Sequence, residues 1–160
     1  MDFQTPPRIC KVMADFLPDN KNLTILEPTA GLGNLVSALK SKGTIISPED
    51  FFKHKHTEKY DYIVMNPPFS PMTLGYKILY DCMELSDNII ALMPWMTMIN
   101  GDRRTRKIVE FGLRSITHLP RTIFKRSRVQ TCILEMEKGF KGEIVYRNYF
   151  EDKKSKDFKM

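Results

Sequence analysis

An apolar run that stops on two prolines, IVMNPPF at residues 63–69, narrows the folds open to this chain more than any other stretch. Ile63, Val64 and Met65 are apolar without alternation, as in a strand covered on both faces, and such strands belong to parallel sheets flanked by helices. Pro67 and Pro68 cannot donate to a sheet ladder, so the strand must end at Asn66. A turn accepts Asn-Pro, but a second proline followed by an aromatic is poor turn chemistry and needs another explanation.

The rest of the chain repeats that strand type between helices. LTILE (23–27), TII (44–46), NIIALMP (88–94), SITHLP (115–120) and QTCILEMEK (130–138) read as strands, and EIVYRNYF (143–150) as an added edge strand. TPPRICKVMADFL (5–17) reads as a helix capped by Thr5, with Ile9, Val12, Met13 and Phe16 along one stripe. Helices also follow from GLGNLVSALKSKG (31–43), MTLGYKILYDCMEL (72–85) and the basic RRTRKIVEFGLR (103–114). The alternation predicts an α/β fold with a mostly parallel sheet, helices on both faces and one antiparallel strand near the C-terminus. With 160 residues the chain is expected to form one domain over 1–150, followed by a charged, disordered tail over 151–160.

Cys10, Cys82 and Cys132 are odd in number and widely spaced, which argues against both a disulfide framework and a zinc site. They read as reduced thiols of a cytoplasmic protein, with Cys132 in the core. No segment is long and apolar enough to span a membrane, and no signal-peptide pattern opens the chain. No metal is expected: His54-Lys55-His56 lacks a third ligand and reads as a solvated loop. Trp95 and its neighbouring methionines read as packing near the site. The net charge of +6 is concentrated between Gly101 and Arg128, compatible with a nucleic-acid partner or with a solvated basic face.

In open α/β sheets, ligands sit beyond the carboxyl ends of the strands. Three stretches end there with unusual residues. In EPTAGLGN (27–34), Gly31 and Gly33 permit a tight turn and close ligand approach. Glu27 suits an amine or sulfonium rather than a phosphate, and without a following Lys-Ser/Thr this is no P-loop. In PEDFF (48–52), Asp50 can accept from an exocyclic amine and Phe51 can pack a purine. In NPPF (66–69), the Asn66 amide oxygen and the Pro67 carbonyl can together accept both hydrogens of a delocalised, poorly nucleophilic amine. Pro67 and Pro68 stiffen the turn, and Phe69 offers a face to an extruded base.

Together TPP (5–7), EPTAGLGN, DFF (50–52) and NPPF resemble the S-adenosylmethionine-dependent adenine DNA methyltransferases, in the gamma motif order. The resemblance covers most of the chain and implies a Rossmann-like methyltransferase fold. It implies transfer of a methyl group from S-adenosylmethionine to N6 of adenine in DNA. Thr5, Glu27, Pro28, Ala30, Gly31, Gly33, Asp50, Phe51 and Asn66 would meet the cofactor, with Asp50 and Phe51 at its adenine. Asn66, Pro67, Pro68 and Phe69 would serve the target base. Arg103, Arg104, Arg121, Lys125, Arg126 and Arg128 would contact nucleic acid, with Phe124 a second wall for the base.

Two departures from the family accompany this. Its second strand, which ends in a ribose-binding acid and leads into a helix, is missing, with Glu49 the nearest substitute. No target-recognition domain follows either, which implies a loosely defined target, single-stranded substrates, a separate specificity partner or a homo-oligomer. Adenine in RNA, a protein glutamine, or a catalytically silent nucleic-acid-binding subunit remain as alternatives.

Overall fold

The computed structural model describes residues 4–20, 22–99, 101–124 and 129–151. Seven strands form one sheet: β1 (Leu23–Leu26), β2 (Gly43–Ile46), β3 (Tyr62–Met65), β4 (Asn88–Pro94), β5 (Leu113–His118), β6 (Thr131–Glu137) and β7 (Val145–Asn148). Their order is β2-β1-β3-β4-β6-β5-β7. β2, β1, β3 and β4 pair in parallel. β6 lies antiparallel between β4 and β5, and β7 continues parallel to β5 as the edge expected from its sequence.

The apolar runs are explained by a core on each face. Along β4, Ile89, Ala91 and Met93 join one buried cluster, while Ile90 and Leu92 join the other. β3 divides the same way, with Ile63 and Met65 against Val64. The first face is covered by α3 (Met72–Cys82) and α4 (Asp102–Gly112), through Tyr76, Ile78, Leu79 and Ile108. The second is covered by α1 (Pro7–Ala14) and α2 (Asn34–Leu39), through Ile9, Met13, Leu35 and Leu39. Cys10, Cys82 and Cys132 are free and buried, and burial pushes the Cys132 thiol up to about 12.

Two details differ from the sequence expectations. Thr5 does not cap α1: Pro6 holds the cap position without a side-chain bond. The Thr5 hydroxyl is spent on the functional site instead. The helix after the glycine loop is also short, six residues, and leads directly into β2, which pairs with β1 as the sheet edge. No strand–helix unit stands between α2 and β2, so the loop carrying Asp50 begins one strand away from β1. Of the expected tail, Glu151 is described and pairs with Arg8, while residues 152–160 lie outside the described residues. Among the described residues no helix is long and apolar enough to cross a membrane.

Candidate active site

β1, β2, β3 and β4 all end toward one cavity of about 850 Å³. The three expected stretches meet there: Glu27 and Gly31 after β1, Asp50 and Phe51 after β2, and Asn66 to Phe69 after β3. Thr5, Pro28, Ala30 and Phe124 line it as well.

Asn66 is fixed from outside its own loop. Its side-chain Nδ2 donates to the Thr5 hydroxyl at 2.7 Å, across 61 positions of sequence. Thr5 is itself 5% exposed. With the NH2 end committed, the amide's carbonyl end turns the other way. The Thr29 hydroxyl lies 3.2 Å from the Asn66 backbone carbonyl and 3.3 Å from Glu27 Oε1, tying the β1 loop to the β3 loop.

Glu27 is 1% exposed. Its Oε1 accepts the Thr29 N–H at 2.9 Å, while Oε2 is buried with no hydrogen-bond partner among the described residues. A buried, half-satisfied carboxylate disfavours its charge. Burial pushes Glu27 up to about 7, against the opposing pull of the Thr29 backbone N–H. A cationic donor entering the cavity would relieve that cost.

Phe69 is less free than a loop-tip aromatic. Its ring rests edge-on against Tyr76, with centroids 5.5 Å apart, and lies over Gly75. A Cβ at Gly75 would come within 2.4 Å of the Phe69 ring and 2.6 Å of the Pro68 carbonyl oxygen. Only glycine lets α3 approach the NPPF loop this closely. Tyr76 is anchored in turn by its hydroxyl, 2.8 Å from Thr97 Oγ1.

The β2 loop is organised locally. Asp50 Oδ1 accepts the backbone N–H groups of Phe52 and Lys53, at 3.0 and 3.3 Å. Phe51 packs into the core at 7% exposure, whereas Phe52 also lines the cavity and carries Lys77 Nζ 4.8 Å from its ring centroid. Glu49 lines the cavity beside Asp50. Gly31 and Gly33 have φ of +55° and +87°, the left-handed backbone for which glycine was expected. Gly31 lines the cavity and Gly33 does not; Gly33 acts through the turn into α2.

No family model matches this sequence, and no curated protein sequence does. Solved structures do match. A class I S-adenosylmethionine-dependent methyltransferase from Listeria monocytogenes, described as putative, superposes with TM-score 0.72 at 18% identity, over 91% of this chain and 65% of that one. A type I restriction-modification methyltransferase subunit from Streptococcus thermophilus gives TM-score 0.72 at 16% identity, over 95% of this chain and 49% of that one. The 23S rRNA methyltransferase ErmE gives TM-score 0.62 at 14% identity, over 86% of this chain and 70% of that one.

The fold is that of the S-adenosylmethionine-dependent methyltransferases. The chain spans about two thirds and half of the first two structures' lengths.

The residues present fit the cofactor that a methyltransferase fold implies. Glu27, whose buried Oε2 has no hydrogen-bond partner among the described residues, lines the cavity beside a left-handed glycine turn and the Asp50 loop.

The basic residues divide. Arg104 stacks its guanidinium 4.1 Å from the Tyr76 centroid, which places it two ring contacts from Phe69. Arg103 and Arg121 are exposed and make no ion pair among the described residues. None of the three lines the cavity, and Phe124 does so as a buried side chain. Lys125, Arg126 and Arg128 lie outside the described residues. Arg106 pairs with Asp102 at 3.0 Å, so part of the basic stretch is internally compensated. The His54–His56 loop is not simply solvated. His56 Nδ1 lies 2.8 Å from the Tyr60 hydroxyl, and its ring packs against Phe51. No group of three metal-ligating side chains occurs among the described residues.

Sequence reasoning missed Gly75, Tyr76 and Thr29. Each acts through a tertiary contact that no local pattern announces.

Proposed function

We propose that this protein transfers a methyl group from S-adenosylmethionine to the exocyclic amine of adenine in DNA. The observation that carries the reading is the Asn66 amide held by Thr5 in the same cavity as the buried, unpartnered Glu27 oxygen. One group is suited to an amine nucleophile and the other to a cationic donor.

S-adenosylmethionine supplies the electrophilic methyl carbon. Glu27 receives the cofactor's ammonium, while the Gly31 turn lets its backbone approach, and Asp50 accepts from the cofactor's adenine amine. The Asn66 Oδ1 and Pro67 carbonyl accept the two hydrogens of the target amine. Accepting both draws the nitrogen lone pair out of conjugation with the ring and aims it along the transfer axis. Phe69 and Phe124 flank the extruded base, and Arg103, Arg104 and Arg121 take phosphates.

The likeness to a methyltransferase subunit of a type I restriction-modification system supports DNA as the substrate, and its being a subunit supports a separate partner, which would supply specificity. The likeness to a 23S rRNA methyltransferase supports RNA as the second substrate to examine. Incubating the purified chain with methyl-labelled S-adenosylmethionine and equal amounts of DNA, RNA and protein tests both. Labelled N6-methyladenine in DNA is expected. Label in glutamine alone, or none at a cofactor concentration that saturates binding, would overturn the reading.

A further inference from the structure

We propose that Trp95, His118 and Tyr146 form a stacking platform for unpaired bases adjoining the target, an extension that rests on nucleic acid being the substrate. Trp95 directly follows Pro94, the end of β4 and part of the cavity wall. Its ring meets His118 at 5.7 Å and Tyr146 at 6.2 Å between centroids. The interplanar angles are 86° and 72°, so neither neighbour occupies the parallel position over the indole.

The topology leaves the Tyr146 end of the triad open, while Trp95 and His118 are half-buried. Tyr146 stands in register with Ile116 and Asn148 with His118, so Tyr146 shares a sheet face with Ile116 and His118. Ile116 packs on the cluster covered by α3 and α4, but all four residues of β7 are exposed. Tyr146 itself is 54% exposed. Only Tyr146 stands on the edge strand; His118 ends internal β5 and Trp95 follows central β4, so the triad runs from the sheet centre out to an exposed aromatic at its edge.

Charge selects the occupant. Arg121 follows His118 by three residues, exposed and without an ion pair among the described residues, on the short 3-10 turn Arg121–Ile123. The next residue, Phe124, lines the cavity. The turn therefore links, along the chain, the end of β5 that carries His118 to the cavity wall at Phe124, and it bears an exposed guanidinium. Aromatic side chains with an exposed cation a few residues along the chain, unpaired among the described residues, suit a single strand, whose bases all present a π-face. Duplex bases are already stacked on one another, so unpaired nucleotides are preferred.

Trp95 is the chain's single tryptophan, so its emission reports on the platform alone. The intact protein is titrated with labelled oligothymidylate, which stacks but offers no adenine to methylate. Label anisotropy and indole emission are read together. Quenching that tracks binding is expected, with weaker binding of a duplex of equal length. Tyr146→Ala should lower oligothymidylate affinity on the order of tenfold. A rise in anisotropy with unchanged emission and unaffected Tyr146→Ala binding overturns the platform while leaving a nucleic-acid substrate intact. An emission change that follows protein concentration without oligonucleotide marks self-association through this face and also overturns it. Quenching without methyl transfer to any adenine-containing strand upholds the platform and rejects the transfer reaction.

Discussion

The loop after β3 and the loop after β2 both open on the cavity, but they are held in different ways. Asn66 is gripped by Thr5 from the entry to α1, its carbonyl by Thr29 from the β1 loop, and Phe69 by Gly75 and Tyr76 on α3. Among the described residues Asp50 is bound only from within its own loop, its carboxylate by the N–H groups of Phe52 and Lys53 and its carbonyl by that of His54, after an edge strand of four residues. Geometry imposed from three other elements is preorganised, because no part of it has to be ordered when the reaction occurs. Geometry made within one loop can adjust to a ligand. Under the proposed function the central loop would carry the chemistry and the edge loop the affinity, and substitutions should separate the two.

Asn66→Ala should show the largest effect. Removing one preorganised acceptor of the target amine should lower the transfer rate on the order of a hundredfold or more. Cofactor affinity measured by calorimetry should change only a few-fold. Activity within a few-fold of wild type would remove Asn66 from the chemistry.

Next in size is the pH dependence set by Glu27. An unfolded glutamate titrates near about 4.3, whereas burial lifts Glu27 up to about 7. Between these values the folded protein keeps a proton that the unfolded chain has lost. Stability therefore falls as pH rises through that window and levels off above it, by an amount of order a few kcal/mol. Glu27→Gln should flatten this part of the Tm–pH curve and raise Tm at pH 8 relative to wild type. Saturating S-adenosylmethionine should raise the wild-type Tm at pH 8 more than that of the variant. Parallel Tm–pH curves for the two proteins would show that Glu27 is charged at no cost, with a partner already in place.

A smaller effect is expected at Gly75. Alanine would gain about 1 kcal/mol of helix propensity, but its Cβ would press on the Phe69 ring and on the Pro68 backbone carbonyl. The ring can rotate and the carbonyl cannot move without the loop. Overpacking of this kind costs about 1–3 kcal/mol, so a net loss in Tm is expected, with transfer rate falling more than cofactor affinity. A raised Tm with unchanged rate would mean that the NPPF loop is adjustable after all and resembles the edge loop.

The contrast also explains what was legible in the sequence. The apolar runs, the NPPF stop and the left-handed glycines follow from local rules of burial, donor loss and φ, and the sheet they predicted is the sheet found. Thr5 was legible as a residue of interest but not as the partner of Asn66, because a Thr before two prolines reads equally well as a cap. Gly75 was hidden inside an ordinary helix pattern. β2 was read as a short strand, yet its parallel pairing with β1 at the sheet edge is a tertiary arrangement that the short run TII does not announce.

The smallest effect is expected at the edge loop. Asp50→Ala removes the acceptor of two backbone N–H groups, at 3.0 and 3.3 Å. Loss of a comparable capping acceptor costs about 0.5–2 kcal/mol, here spent in ordering the loop when cofactor binds. Cofactor affinity should fall by a few-fold to about thirtyfold, that energy converted at 1.4 kcal/mol per tenfold, while the rate at saturating cofactor stays within about twofold. Asp50→Asn keeps a carbonyl oxygen for the same N–H groups but loses the charge and turns the second oxygen into an NH2 donor. It should recover most of the affinity if loop shape and a neutral acceptor suffice. A rate loss at Asp50→Ala as large as that at Asn66→Ala, with affinity unchanged, would give the two loops one shared role, and the division between chemistry at the centre of the sheet and affinity at its edge would fail.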